Sequence, residues 1–295
     1  MIRSIVFVFA LFLTWTALAA EPPLIAFERA GEIWVANVDG TGAKKIARGV
    51  QPSISPDGKS VAFNTETDKS LNRNIAFADI ATKKVTIFKK EIPSENCQHG
   101  VWSPDSSQIL FNIFTDDEWH LGLIKADGSG FRYAKKAPAK SISFWSACWA
   151  PDGKSIYVQD LDKISQLSLD GAVLKTWDLH KLFPTAGMTS SSSMAVSPDG
   201  NSLLLGMEVT DEEVNRQDWD GPPPSIWALD LTTEKATRLT PKGFFGWSGV
   251  WLSDDEILFV SQGPKEKQPS LYRMSRAGEN RKQVLKNADW PTVSR

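Results

Sequence analysis

Three histidines, His99, His120 and His180, are the side chains of this 295-residue chain that are best suited to metal chemistry. Several imidazoles can hold a catalytic metal ion if the fold brings them together. A serine-rich stretch at 189–197 offers hydroxyl nucleophiles, but the sequence contains no G-x-S-x-G elbow, no P-loop and no dinucleotide fingerprint. No cofactor is therefore expected, and the chemistry depends on the elements that carry the histidines.

Acidic and aromatic side chains form a second group of candidates. Acids in loops are most often solvated, whereas aromatic rings among them are typical of a contact surface. The candidate binding residues are Asp116, Asp117, Trp119, Asp211, Asp218, Trp219, Asp220, Trp247 and His99. The stretch DWDG at 218–221 supplies only part of a calcium ligand set, so no metal site is predicted there.

One sequence word recurs along the chain and marks the elements that must position these residues. It reads SISPDGKSVAFN, VWSPDSSQILFN, CWAPDGKSIYVQ and AVSPDGNSLLLG, starting at positions 53, 101, 148 and 195, with a degenerate copy, VWLSDDEILFVS, at 250. Pro-Asp-Gly favours a tight turn, because Pro fixes φ, Asp bonds to its own backbone and Gly adopts positive φ. Apolar runs on both sides predict that each word is a β-hairpin.

A second predicted hairpin follows each word, so that every repeat has four strands, a to d. Four antiparallel strands that recur every ~40–50 residues are typical of β-propeller blades. The N-terminal part supplies strands b (24–27), c (33–38) and d (44–46) without an a strand, whereas WPTVS at 290–294 aligns with the a strand QPSIS at 51–55. The two ends therefore complete one blade, which predicts an all-β, six-bladed propeller over residues 21–295. An open solenoid of five repeats would leave the terminal fragments unexplained.

The repeats resemble those of the TolB-like propeller family, also described as PD40 or WD40-like repeats. The resemblance rests on the SPDG words and on the Asp-Gly turns at Asp39, Asp127 and Asp170. It implies the fold more than a function, since this kind of propeller occurs in periplasmic TolB, in prolyl peptidases and in some polysaccharide lyases. TolB carries an additional N-terminal domain, and only a few residues precede the first strand here, so the resemblance covers the propeller alone.

The resemblance also bears on the histidines, because lyases of this fold hold a metal with several histidines around the central channel. His99 lies in a predicted a strand that lines the channel, His120 begins a c strand, and His180 lies in a d–a connection. These positions are at different radii of the ring, so the three imidazoles are not expected to converge.

The b–c and d–a connections vary in length, and in a propeller both emerge on the same face. They lie at 65–74, 89–100, 113–120, 178–189, 207–225 and 240–249. The 207–225 segment lengthens its repeat, since Ser197 to Ser253 is 56 residues whereas Ser55 to Ser103 is 48. Variable loops on a rigid ring are common binding sites.

These loops favour a non-catalytic scaffold that binds a protein or peptide of the cell envelope. Two alternatives stay open. One is an enzyme at the channel mouth, such as a metal-dependent polysaccharide lyase or a lactonase. The other is a carbohydrate- or metabolite-binding sensor.

Residues 1–20 have the pattern of a cleavable signal peptide. Arg3 precedes an apolar run from Ile5 to Leu13, and small residues follow at Ala17 and Ala19. The run is short for a span of ~20 residues, so cleavage is favoured over a membrane anchor. The sequence therefore predicts a periplasmic or secreted monomer, and its net charge of −2 gives no indication of a nucleic-acid partner.

The two cysteines, Cys97 and Cys148, are predicted to be free thiols. They lie on neighbouring a strands with a stagger of four residues, or roughly 13 Å at the rise of a strand. A disulfide needs Cα atoms within ~7 Å. The pair could bond only if Cys97 lay in a folded-back loop.

Overall fold

A computed structural model describes residues 22–67, 70–137, 143–214, 216 and 219–294. In chain order, the first blades comprise β1 (Leu24–Arg29), β2 (Glu32–Asn37) and β3 (Lys44–Arg48); β4 (Val50–Ile54), β5 (Ser60–Thr67), β6 (Ser70–Asp79) and β7 (Val85–Ile87); and β8 (Cys97–Trp102), β9 (Gln108–Thr115), β10 (Glu118–Lys125) and β11 (Arg132–Lys135). The proposed signal peptide lies outside the described residues.

The second half of the chain continues the pattern and then returns to the first blade. Its elements are β12 (Trp145–Trp149), β13 (Ser155–Gln159), β14 (Lys163–Ser168) and β15 (Val173–Asp178); α1 (Leu179–Leu182); β16 (Ala186–Gly187), β17 (Met194–Val196), β18 (Ser202–Val209), β19 (Pro224–Asp230) and β20 (Ala236–Arg238); β21 (Gly246–Trp251), β22 (Glu256–Ser261), β23 (Ser270–Ser275) and β24 (Lys282–Lys286); and β25 (Asp289–Val293). The short β16 pairs with β18 beside β17 in the fifth blade.

The six-bladed propeller is confirmed, including the blade shared by the two ends. The first sheet has the order β25-β1-β2-β3, and Ile25 pairs with Val293 in antiparallel register. Ser294 tightens this seam, because its Oγ accepts a hydrogen bond from Leu24 N at 2.7 Å. The C-terminal strand is therefore the innermost strand of the first blade.

Apolar side chains pack between neighbouring blades and hold the ring together. The described core separates into six clusters, and each combines residues of two adjacent blades. The cluster that closes the ring joins Ile25 and Phe27 of the first blade to Leu258 and Val260 of the sixth, and all four are fully buried. Both faces of the middle strands are buried, as their consecutive apolar residues predict.

The SPDG words form the a–b turns, as predicted. Ser55 Oγ donates to Asp57 Oδ1 at 2.6 Å and accepts from Ser60 N at 2.9 Å, while Gly58 has φ of 69°. Ser103 and Ser197 make the same bonds to Asp105 and Asp199. These side-chain bonds satisfy backbone N–H groups of the turn.

Both cysteines are buried free thiols in the structure. Burial raises the pKa of each thiol to about 12, so neither is a thiolate at neutral pH. We expect both to react slowly with a thiol reagent in the folded protein. After denaturation without reductant, both should react at once, as measured by mass spectrometry of the labelled peptides. Recovery of unlabelled, disulfide-linked peptides carrying Cys97 and Cys148 would contradict this assignment.

Candidate functional site

The loop face is the face of the ring on which the b–c and d–a connections emerge. Much of it is built from hairpins, where the sequence predicted loops. Residues 113–120 belong almost entirely to β9 and β10, which run to Thr115 and restart at Glu118. The two turn residues, Asp116 and Asp117, have φ of 54° and 64°. Asp tolerates this left-handed conformation, so the turn itself explains the two exposed acids.

An aromatic cluster on the loop face bridges the third and fourth blades. Trp119 stacks against Phe114 and Trp145, with ring centroids 5.3 Å apart in both pairs. Phe144 N also donates to Trp119 O at 3.2 Å, which ties the hairpin of one blade to the inner strand of the next. All three rings are half-buried and so retain surface for a contact.

A second cluster bridges the fifth and sixth blades in the same manner. The ring of Trp219 lies 5.1 Å from Phe245 and 5.9 Å from Trp247. Its Nε1 donates to Pro222 O within its own loop at 3.2 Å. Trp219 therefore packs on the neighbouring blade as well as on its own loop, and it keeps a half-exposed face.

The 207–225 segment is partly structural. Strands β18 and β19 extend into it, and Val209 N bonds to Pro223 O at 3.0 Å. Glu212 forms an ion pair with Arg238 of the same blade, and both side chains are largely buried. The Arg238 hydrogen bond, opposed by burial, holds the pKa of Glu212 below its usual value. Asp211 and Asp220 are exposed nearby, whereas Asp218 lies outside the described residues.

The three histidines lie in unrelated environments, as the sequence predicted. His99 is on the inner strand β8 and contacts Trp290 at 5.3 Å between ring centroids. His120 is buried in the third blade, where its Nδ1 accepts from Ala137 N at 2.9 Å. His180 is exposed in α1 and its Nε2 lies 3.0 Å from Asp162 Oδ1. Among the described residues, no group of three His, Cys, Asp or Glu side chains is placed to hold a metal ion.

The central channel is lined by the inner strands and changes character along its length. Toward the a–b turns, a cavity of about 330 Å³ is lined by Trp102, Trp149 and Trp251 together with the prolines of the SPDG words. Toward the loop face, a cavity of about 100 Å³ is lined by Gln51, His99 and several serines, and also by Trp290, Met194 and other apolar side chains. Both halves of the channel thus have mainly apolar walls, and the loop-face half adds a set of uncharged polar side chains.

Sequence reasoning missed Trp145 and Phe114. A signal for Trp145 was present, since WSACW at 145–149 and WSGVW at 247–251 share the same spacing of two tryptophans. The first Trp of each motif is the first or second residue of an inner strand. The second Trp lines the channel cavity near the a–b turns. Aligning the two motifs would have placed Trp145 at the position equivalent to Trp247.

Comparison with known proteins places the fold. No family model matches the sequence. TolB from Acinetobacter baumannii superposes with a TM-score of 0.67 at 14% identity, over 93% of this chain and 67% of that chain. A putative TolB from Agrobacterium tumefaciens gives a TM-score of 0.62 at 16% identity, over 90% and 88% of the two chains. The fold is a TolB-like six-bladed β-propeller.

Two further similarities support narrower conclusions. A chain of a nidogen–laminin complex superposes with a TM-score of 0.66 at 13% identity, over 92% of this chain and 98% of that chain. Hydrazine synthase subunit beta from Kuenenia stuttgartiensis is 35% identical over 66 residues, which are 22% of this chain and 17% of that protein. The first shares the fold, and the second matches only a short stretch of either chain.

Within the described part of the chain, no helix has the length and apolar character needed to cross a bilayer.

Proposed function

We propose that this propeller is a non-catalytic scaffold that binds a protein or peptide of the cell envelope through its loop face. The observation that carries the proposal is the pair of aromatic clusters, Phe114–Trp119–Trp145 and Trp219–Phe245–Trp247, in which five of the six rings are half-buried and Phe245 is buried. Large rings with one face packed and the other accessible are the usual centres of protein interfaces.

The two clusters are suited to binding because they are held rigidly. Each joins a b–c hairpin to the inner strand of the following blade, so its rings lose little freedom when a partner covers them. Exposed acids, Asp116 and Asp117 beside the first cluster and Asp211 and Asp220 in the 207–225 segment, supply a polar rim. An apolar centre with a charged rim is the ordinary arrangement of a protein-binding surface.

The proposed compartment is the periplasm or the cell exterior, on the basis of the signal-like residues 1–20. Mass spectrometry of the protein from its native host should give a mature chain that starts close to Glu21. A chain that retains Met1 or Ile2 would contradict export by cleavage.

The non-catalytic part of the proposal is supported by the separation of the three histidines. Metal analysis of the purified protein distinguishes scaffold from metalloenzyme. Stoichiometric manganese, zinc or calcium that survives dialysis would favour the enzyme.

The aromatic clusters can be tested by truncation of one ring at a time. We expect Trp119→Ala and Trp219→Ala each to abolish capture of the envelope partner from a periplasmic extract. Each loses ring–ring contact of about 1 kcal/mol and buried area of about 2 kcal/mol, so the melting temperature should fall by roughly 5–10 °C while the protein stays folded at the temperature of the assay. Capture is measured by quantitative mass spectrometry of the bound fraction, and stability by thermal melting.

Trp227→Ala is the matched control for Trp219→Ala. Trp227 lies on β19 of the same blade, is also half-buried, and packs edge-on against Phe183 at 5.6 Å. This variant should lose comparable stability and keep the partner. Equal loss of partner in both variants would indicate that blade stability, rather than the loop face, governs binding.

A further inference from the structure

The inner strands form a ring of side chains around the loop-face half of the channel. Each repeat contributes one residue to this ring, from an equivalent position at or near the start of its inner strand. The six ring residues are Gln51, His99, Ser146, Ser193, Ser248 and Trp290. All six line the cavity of about 100 Å³. The ring is a feature of the closed propeller, since Trp290 comes from the C-terminal strand.

Five of the six ring residues have a left-handed backbone, with φ of 54° at Gln51, 52° at His99, 54° at Ser146, 47° at Ser248 and 49° at Trp290. None is glycine, and non-glycine residues rarely adopt this conformation. All five lie within a register shift between the inner strand and the next strand, as in β4 and β8. Such bulges redirect side chains, and their repetition around one ring marks a built feature.

The ring presents hydrogen-bonding groups without charge. No Asp, Glu, Lys or Arg lines this cavity among the described residues. Burial, and the charge of Arg73, lower the pKa of His99 to about 4, so its imidazole is neutral at pH 7. An ion placed here would lose its hydration without gaining a counter-charge, which opposes binding of ionic ligands.

Several of these groups have unused hydrogen-bonding capacity. Gln51 Nε2 lies 3.1 Å from His99 Nε2 and can donate to it only if the ring proton is on Nδ1, which leaves His99 Nδ1–H as a free donor and Gln51 Oε1 as a free acceptor. Gln51 Oε1, His99 Nδ1 and Ser193 Oγ are buried with no partner in the structure. Ser248 is only 6% exposed and lines the same cavity. Buried polar groups are normally satisfied, so a set of this kind on one cavity wall needs an explanation.

We propose that this ring is a binding site for a small neutral polyhydroxy compound. Hydroxyl groups can both donate and accept, so a polyol satisfies donors and acceptors spread around a circle. A cavity of about 100 Å³ holds about three waters at ~30 Å³ each, which is the size of a three-carbon polyol or of one hydroxylated edge of a sugar. The indole of Trp290, which packs at a tilt against the His99 ring, supplies an apolar surface for the carbon chain.

The test uses the full mature chain and calorimetric titration with glycerol and glucose, against 1-propanol, acetamide and galacturonate. Glycerol or glucose should bind at millimolar concentration, and the other three compounds should bind at least about tenfold more weakly. Binding of galacturonate or acetamide in preference to both polyols would overturn the neutral polyol class. The absence of polyol binding would show that ordered water alone fills the ring.

Ser248→Ala and Ser191→Ala form a matched pair of variants. Both exchange a hydroxyl for a methyl group, but Ser191 is exposed and lies outside the ring. Ser248→Ala should weaken polyol binding about tenfold, because one hydroxyl of the cavity wall is removed, while the melting temperature stays within a few degrees of the parent. Ser191→Ala should bind as the parent does. Equal polyol binding by Ser248→Ala and the parent would overturn the site. Gln51→Leu removes another polar side chain of the ring and should weaken polyol binding as well.

Discussion

Deletion of residues 289–295 should lower the free energy of unfolding by about 5 kcal/mol or more. It removes the innermost strand of the first blade, with about five hydrogen bonds at about 1 kcal/mol each, and it exposes the apolar seam around Ile25 and Phe27. Thr292 Oγ also accepts from Ile54 N at 3.0 Å, so the second blade loses a contact. For a domain of this size, the loss corresponds to a melting temperature roughly 10–20 °C lower.

Differential scanning calorimetry of the truncated and intact chains measures this effect. A circular permutant, with the two ends joined and new ends opened at the exposed turn of Thr232 and Thr233, is the control. It retains the strand and should melt close to the parent. If the truncated chain melted with the parent, the ring would not depend on the shared blade.

Gly278→Ala should destabilise the protein by about 3–5 kcal/mol, near the upper end of single substitutions. Gly278 lies in the c–d turn of the sixth blade with φ of 79°. A Cβ built there would lie 2.3 Å from Leu239 O and 3.0 Å from Leu239 Cα of the fifth blade. Leu239 cannot move aside easily, since it is buried and its N bonds to Ile226 O at 2.8 Å.

Gly31→Ala separates the steric effect from the backbone effect. Gly31 has a similar φ of 73°, but a Cβ there meets no atom within 4 Å. It should cost only about 1 kcal/mol, the ordinary cost of a left-handed alanine. Urea unfolding of the two variants measures the difference, and equal losses would contradict the tight contact between the fifth and sixth blades.

The architecture was predictable from the sequence because the turn words are local signals. Pro and Asp favour the a–b turn in the four words that contain them, and Gly supplies the positive φ in three of these, as the bonds of Ser55 and Asp57 illustrate. The spacing of these words then determines the number of blades. The shared blade was predictable as well, because Ser294 aligns with Ser55, the anchor of a complete word.

The bulged ring was not predictable. Left-handed positions are usually identified by Gly or Asn, and the ring has Gln51, His99 and Trp290 there. The helix α1 in a d–a connection was also missed, because four residues at 179–182 carry no periodic signal. Whether Trp219 was covered depended on Phe245 and Trp247, which are distant from it in sequence and contact it only when the sixth blade packs on the fifth.

Hydrogen–deuterium exchange of the protein with and without its captured partner tests the central claim most directly. If the loop face binds the partner, exchange should slow in the hairpin at 113–120, at 143–147 and at 243–249, while the a–b turns at 55–58, 103–106 and 197–200 exchange as before. Protection of the a–b turns with no change on the loop face would contradict the proposed function.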